Sequence, residues 1–166
     1  MKILVTRSPA TEGYNERYIN AINNCNAVVN VSDTPELTFV LADSGKPSFW
    51  FPIHEINWWG YSPFYGAAKV VDRYENVLIH CHAGVNRSKS IAYAILKAEN
   101  MSDEAIAEHI NDDVARLFNK MNMEKWGFIP KDIIEFLKAR KQHPTYSIAG
   151  LLQEIGSPNL HLKKPL

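Results

Sequence analysis

The stretch from Asn76 to Asn100 limits the possible folds of this chain more than any other part of it. It opens with Val77-Leu78-Ile79, a short apolar run of the kind a parallel sheet buries on both faces. The pattern then breaks at His80-Cys81-His82-Ala83-Gly84-Val85-Asn86-Arg87-Ser88. Directly afterwards Ile91, Ala94, Ile95 and Ala98 recur at helical spacing. A buried strand, a tight loop and a helix therefore follow one another within a few turns of chain. The loop must lie at the carboxyl end of the strand and the amino end of the helix.

That placement has chemical consequences. The first turn of a helix offers backbone N–H groups with no partner inside the helix, and its dipole favours an anion there. Gly84, in the middle of the loop, allows successive amides to turn inward as a nest. Arg87 closes the loop with a guanidinium able to fork onto two phosphate oxygens. Cys81 opens it, and a thiol among oriented amides, a helix start and an arginine is favoured as the thiolate. A thiolate beside a bound phosphoryl group is a nucleophile aimed at phosphorus, and the product would be a cysteinyl-phosphate that water hydrolyses. Ser88 can donate to the sulfur and ease its departure in that second step. His82, Ala83, Gly84, Val85 and Asn86 supply the substrate-binding amides, with His80 as support for the loop. The bland alternatives are a core cysteine before a turn and a core histidine.

The rest of the chain alternates strands with helices. Lys2 to Val5 reads as a first strand, Tyr14 to Asn24 as a helix, and Ala27 to Val31 as a β-branched buried strand ended by Ser32-Asp33-Thr34-Pro35. Leu37 to Ala42 is ambiguous. Phe49 to Ile53 reads as another strand, with Pro52 near its end, and Ser62 to Glu75 as a helix carried by Phe64, Ala67, Ala68, Val71 and Tyr74. Helices are also expected from Asp103, around Val114 to Met121, and after Pro130 with Ile133, Phe136 and Leu137 inward. The pattern implies a single three-layer α/β domain over residues 1–143, with a central, mostly parallel sheet flanked by helices. Residues 144–166 read as a C-terminal helix and tail, packed on the domain or on a partner.

Composition narrows the setting. The 166 residues carry equal numbers of acidic and basic side chains, so nothing draws the whole chain to nucleic acid or an anionic membrane. No apolar run approaches the ~20 residues of a membrane span, and Arg7 interrupts the start too soon for a signal peptide. The two cysteines, Cys25 and Cys81, form no disulfide framework and no zinc motif. A reducing, cytoplasmic location fits them, with no metal and no cofactor.

His80-Cys81-x-x-Gly84-x-x-Arg87-Ser88 resembles the signature of the protein tyrosine phosphatase superfamily without a gap, and the short chain resembles its compact dual-specificity branch. The resemblance runs from about Ala27 to Leu137, and Gly127-Phe128 resembles a late segment that packs under the loop. It implies a general acid, usually an aspartate, about thirty residues before the cysteine. Here Phe51-Pro52-Ile53-His54-Glu55 resembles that segment, with Glu55 in the acid's place and Trp59 four residues on. Glutamate can do the same work, although its extra methylene moves the proton. His54 and Asp72 are the other candidates, and a solvated loop charge is the bland reading of Glu55.

The implied activity is a protein phosphatase acting on phosphotyrosine, and on phosphoserine or phosphothreonine. The loop lacks the lysines of relatives that act on inositol lipids. Asn86-Arg87 also occurs in the branch resembling RNA 5′-triphosphatases, which is the alternative, and the only setting in which nucleic acid would be a partner. A phosphate-binding module with little turnover is a third reading, and a rhodanese-like sulfur carrier ranks below it. Trp58, Trp59, Tyr61, Phe64 and Tyr65 would either rim the pocket or fill the core. Cys25 would pair with Cys81 under oxidation only if the fold brought them together.

Overall fold

The structure, a computed structural model, describes residues 2–7, 16–33, 44–53, 60–81, 87–110, 130 and 132–142. Four strands form one sheet: β1 (Lys2–Arg7), β2 (Ala27–Asn30), β3 (Ser48–Trp50) and β4 (Asn76–Cys81). Their order is β1-β4-β2-β3 and every pairing is parallel. Helices α1 (Glu16–Asn24), α2 (Tyr61–Arg73), α3 (Arg87–Ala98), α4 (Asp103–Ile110) and α5 (Ile133–Gln142) complete the described elements. The α/β architecture and the parallel sheet agree with the sequence pattern.

Strand parity divides the core. Ile3, Val5, Ala27, Val29, Val77, Ile79 and Cys81 belong to the larger apolar cluster, together with Phe64, Ile91, Ile95, Phe136 and others on α2, α3 and α5. The even-numbered Val28 and Leu78 pack instead with Ala21, Ile22 and Cys25 on and just after α1. Val77 through Cys81 are all buried, because β4 has a strand on either side and helices on both faces. The apolar run of β4 thus has the origin inferred from its sequence.

Strand β3 ends earlier than expected, at Trp50, yet its chain stays beside β2. Phe51 N–H donates to Asn30 O (2.9 Å) and Ile53 N–H to Val31 O (3.2 Å). Pro52 falls between the two donors, where no ladder bond is required of it. This extension carries Ile53 to the carboxyl end of the sheet. Gly66 keeps it close: a Cβ there would sit 2.6 Å from the Phe51 ring.

Helices α2, α3 and α5 lock together through aromatic and ionic contacts. Tyr61 stacks on Phe136, with ring centroids 4.6 Å apart, and burial pushes its hydroxyl up to about 12. Arg140, 1% exposed, donates from Nε and Nη2 to the two Asp72 oxygens (3.1 and 3.0 Å) and from Nη1 to Leu137 O (2.7 Å). Glu99, just past α3, lies 3.6 Å from the same guanidinium. Pro130 is not the first helical residue: Ile133 N–H bonds to Pro130 O and α5 starts there, three residues later than the proline alone suggested. The readings at Leu37 to Ala42, Val114 to Met121, Gly127-Phe128 and residues 144–166, including the boundary at 143, lie outside the described residues.

The edge strand β1 is held by α4. Ser102 caps that helix by accepting from Ala105 N–H (3.2 Å), and Asp103 pairs with Lys97 at 2.9 Å. The Lys97 hydrogen bond, more than the one from Tyr93, holds the Asp103 carboxyl below its usual range. Near the other end of α4, His109 Nε2 accepts the Ile3 N–H at 3.1 Å, filling a donor on the edge strand. An imidazole can accept there only while neutral. Burial, and then the Lys2 ammonium, lower its proton affinity below the ordinary histidine value of 6.5. The unfolded chain therefore binds this proton more readily than the folded one, and stability contributed above pH 6.5 drains away as pH falls beneath it. Denaturant midpoints measured from pH 8 to pH 5 should fall more steeply for the wild type than for His109→Gln, which keeps an acceptor without titrating.

Candidate active site

Strand β4 delivers His80 and Cys81 to the carboxyl end of the sheet, and α3 begins at Arg87. In a parallel sheet this end is where ligands bind. His82, Ala83, Gly84, Val85 and Asn86 lie outside the described residues, so the site is defined by the two anchors of the loop. Cys81 is 2% exposed, and its Sγ lies 3.2 Å from Ser88 Oγ, on a side chain that is itself buried. Cysteine and serine are neighbours because the helix that begins at Arg87 starts beside the strand end that Cys81 closes. His80 is also buried, and its carbonyl accepts from Val31 N–H (2.9 Å) in the extension of the β2 ladder.

Arg87 is held from the side of β2 and β3. Its Nη1 donates to Ile53 O at 2.8 Å and lies 3.5 Å from Asp33 Oδ1. The side chain is 5% exposed, so this charge is removed from water and requires such partners. Both contacts use Nη1. Among the described residues, Nε and Nη2 are left as a pair of donors along one edge of the guanidinium, the geometry that suits two phosphate oxygens.

Other candidates fall elsewhere. Glu55 and His54 lie outside the described residues, but Ile53, immediately before them, is bonded to Arg87. Asp72 is removed from the list of acids. It sits one residue from the end of α2, just ahead of the first residue of β4, and is committed to Arg140. That is the end of the sheet away from Cys81. Cys25 is likewise remote: it precedes β2, where Ala27 pairs with Val77, and Val77 is itself about 13 Å of strand from Cys81. Its thiol bonds to Ile22 O (3.4 Å), and burial pushes its pKa up. A disulfide between the two cysteines is excluded in this fold.

Of the two readings of the aromatic group, the core one holds for its described members. Tyr61 and Phe64 are core residues, 1% and 0% exposed, and Tyr65 packs edge-on against Phe136. They follow the helical stripe of α2 inward. Trp58 and Trp59 lie outside the described residues. Among the described residues the exposed large aromatic is Trp50, whose Nε1 donates to Ser32 O at 2.9 Å, beside Asp33.

Sequence reasoning passed over Asp33 and the Ile53 carbonyl. Ser32-Asp33 read simply as a turn. The usable signal was topological, since a residue that follows a strand parallel to β4 must emerge at the end where Cys81 emerges.

No protein-family model matches the sequence, and no curated protein does. Solved structures do match. The chain is similar to Tk-PTP in its active form, with a TM-score of 0.50 and 18% identity, covering 75% of this chain and 93% of that one. It is also similar to the core catalytic domain of the PP-IP phosphatase SIW14 from S. cerevisiae, with a TM-score of 0.51 and 14% identity, over 99% of this chain and 91% of that one. At such identities the likeness is one of fold. The parallel sheet, the strand ending in Cys81 and the helix starting at Arg87 give this chain the fold of the protein tyrosine phosphatases and their dual-specificity relatives.

Proposed function

We propose that this protein is a cysteine-dependent phosphatase hydrolysing phosphate monoesters on proteins, phosphotyrosine together with phosphoserine or phosphothreonine. The observation that carries the reading is the pairing of Cys81 Sγ with Ser88 Oγ at 3.2 Å, at the sheet end where Arg87 is held through Nη1 and, among the described residues, has its Nε and Nη2 edge left for an anion. A buried thiol needs no hydroxyl at that distance for packing. A departing thiolate does.

In this mechanism the backbone N–H groups of His82, Ala83, Gly84, Val85 and Asn86, with Arg87, hold the non-bridging oxygens. The Cys81 thiolate attacks phosphorus, an S–P bond forms and the P–O bond to the leaving group breaks. Glu55 gives its proton to the leaving oxygen. A water then attacks phosphorus and passes a proton to the Glu55 carboxylate. The S–P bond breaks, and the Ser88 hydroxyl donates to the sulfur as it regains its charge. His80 supports the loop from the strand.

A second reading has its own support. The fold likeness to a PP-IP phosphatase spans nearly the whole chain. A phosphoanhydride, whether of that kind or at a triphosphate-ended RNA, has a leaving group that needs little help from an acid, and the glutamate in the acid's place suits such a substrate.

A panel of phosphotyrosine, phosphoserine and phosphothreonine peptides, an inositol pyrophosphate and a triphosphate-ended RNA separates these readings by phosphate release. Release from the peptides supports the first reading; release only from the anhydrides replaces it with the second. Cys81→Ser should lower turnover of the preferred substrate by at least ~1,000-fold while still binding inorganic phosphate. Turnover retained by that variant would rule out the covalent route. Glu55→Gln should slow a phosphotyrosine peptide by ~100-fold or more, and p-nitrophenyl phosphate, with its better leaving group, by less than ~10-fold. An equal loss on both would remove Glu55 from the acid role.

A further inference from the structure

The turn after β2 is built more firmly than an exposed loop requires. Asn30, 1% exposed, accepts at Oδ1 from both Ser32 N–H (2.9 Å) and Ser32 Oγ (2.7 Å). Ser32 is equally buried, and its carbonyl is tied to Trp50 Nε1 at 2.9 Å. Side chains that bond their own backbone two residues on fix a turn in one conformation. Here the fixed turn presents Asp33, whose side chain is 44% exposed, to Arg87 at 3.5 Å.

That distance is ionic rather than a short hydrogen bond, whereas the 2.8 Å bond to Ile53 O is the one that orients Nη1. Orientation and charge compensation are thus divided between two partners. The carbonyl aims the guanidinium, and the carboxylate offsets its charge when no anion is present. A half-exposed carboxylate beside the phosphate-binding cation also acts on the ligand. It repels a phosphate dianion across the same guanidinium that attracts it.

We infer that Asp33 acts as the counter-charge of Arg87 when no anion is bound and limits how tightly the site holds inorganic phosphate. The inference rests on the phosphatase reading above, in which phosphate is the product and must leave the loop before the next turnover. A site of amides, helix start and arginine with no opposing charge would retain a dianion. The Asp33 carboxylate lowers that retention, without touching the phosphoryl group.

Titration calorimetry of inorganic phosphate into the wild type, Asp33→Asn and Asp33→Glu tests this without requiring turnover. Asp33→Asn keeps the shape and removes the charge, and should bind phosphate about 3- to 10-fold more tightly, as expected for one charge acting over a few ångströms in a wet site. Asp33→Glu restores the charge and should return the affinity to within about 2-fold of the wild type by the same argument. A structural role alone would predict weaker binding in both variants. Unchanged or weaker binding by Asp33→Asn overturns the inference, as does equal tightening in both variants. If the wild type binds phosphate and Asp33→Asn binds it no better, this inference fails and the phosphatase reading stands. If none of the three binds phosphate, both fail.

Discussion

A guanidinium withdrawn from water must be satisfied from every side that matters, and the site here is arranged around that demand. Arg87 starts α3 and is 4% exposed. Its Nη1 is bonded to Ile53 O and faces Asp33, so two segments that follow neighbouring strands converge on one side chain. The convergence is possible because β2 lies between β3 and β4, and all three run in the same direction. An antiparallel neighbour would have placed Asp33 or Ile53 at the far end of the sheet. Parallel order is thus the condition for building the arginine's surroundings from separate stretches of sequence.

The same convergence ties Arg87 to the chain expected to carry the acid. Ile53 stays in line with β2 through its N–H bond to Val31 O, and its own carbonyl receives Arg87. Phe51, two residues earlier, is packed against Gly66 of α2, where even a methyl group would collide with its ring. Cys81 and Ser88 meet on the opposite flank, between β4 and α3. Cys81, Arg87 and the chain leading to Glu55 all hang on elements whose cores are closed. Arg140, with Asp72 and Glu99, ties α5 to α2 and the end of α3 at the other end of the molecule, leaving the site end to function.

Much of this was legible beforehand. The apolar run Val77 to Ile79 could only be an interior strand, and the stripe Ile91, Ala94, Ile95 and Ala98 could only be a helix packed on it; each of these residues is fully or almost fully buried. Local pattern carries such elements because one period decides them. It did not carry Asp33 or the Ile53 carbonyl, whose roles depend on which strands are adjacent, and adjacency is not written in any single segment. For Tyr61 and Phe64 it left a pocket rim and the core both open, and the helical stripe that points them inward is the reading the fold supports. Strand direction places Asp72 and Cys25 at the end of the sheet away from Cys81, a fact visible only once the parallel order is known.

The central claim is that Cys81 forms a covalent bond to phosphorus during turnover. The most direct measurement is rapid acid quenching of the protein with a phosphotyrosine peptide or p-nitrophenyl phosphate, followed by peptide mass spectrometry. The account predicts a phosphoryl adduct on the peptide bearing Cys81, present within one turnover and lost when substrate is exhausted. Substrate consumed at full rate with no adduct on Cys81, or with an adduct on another residue, would contradict it.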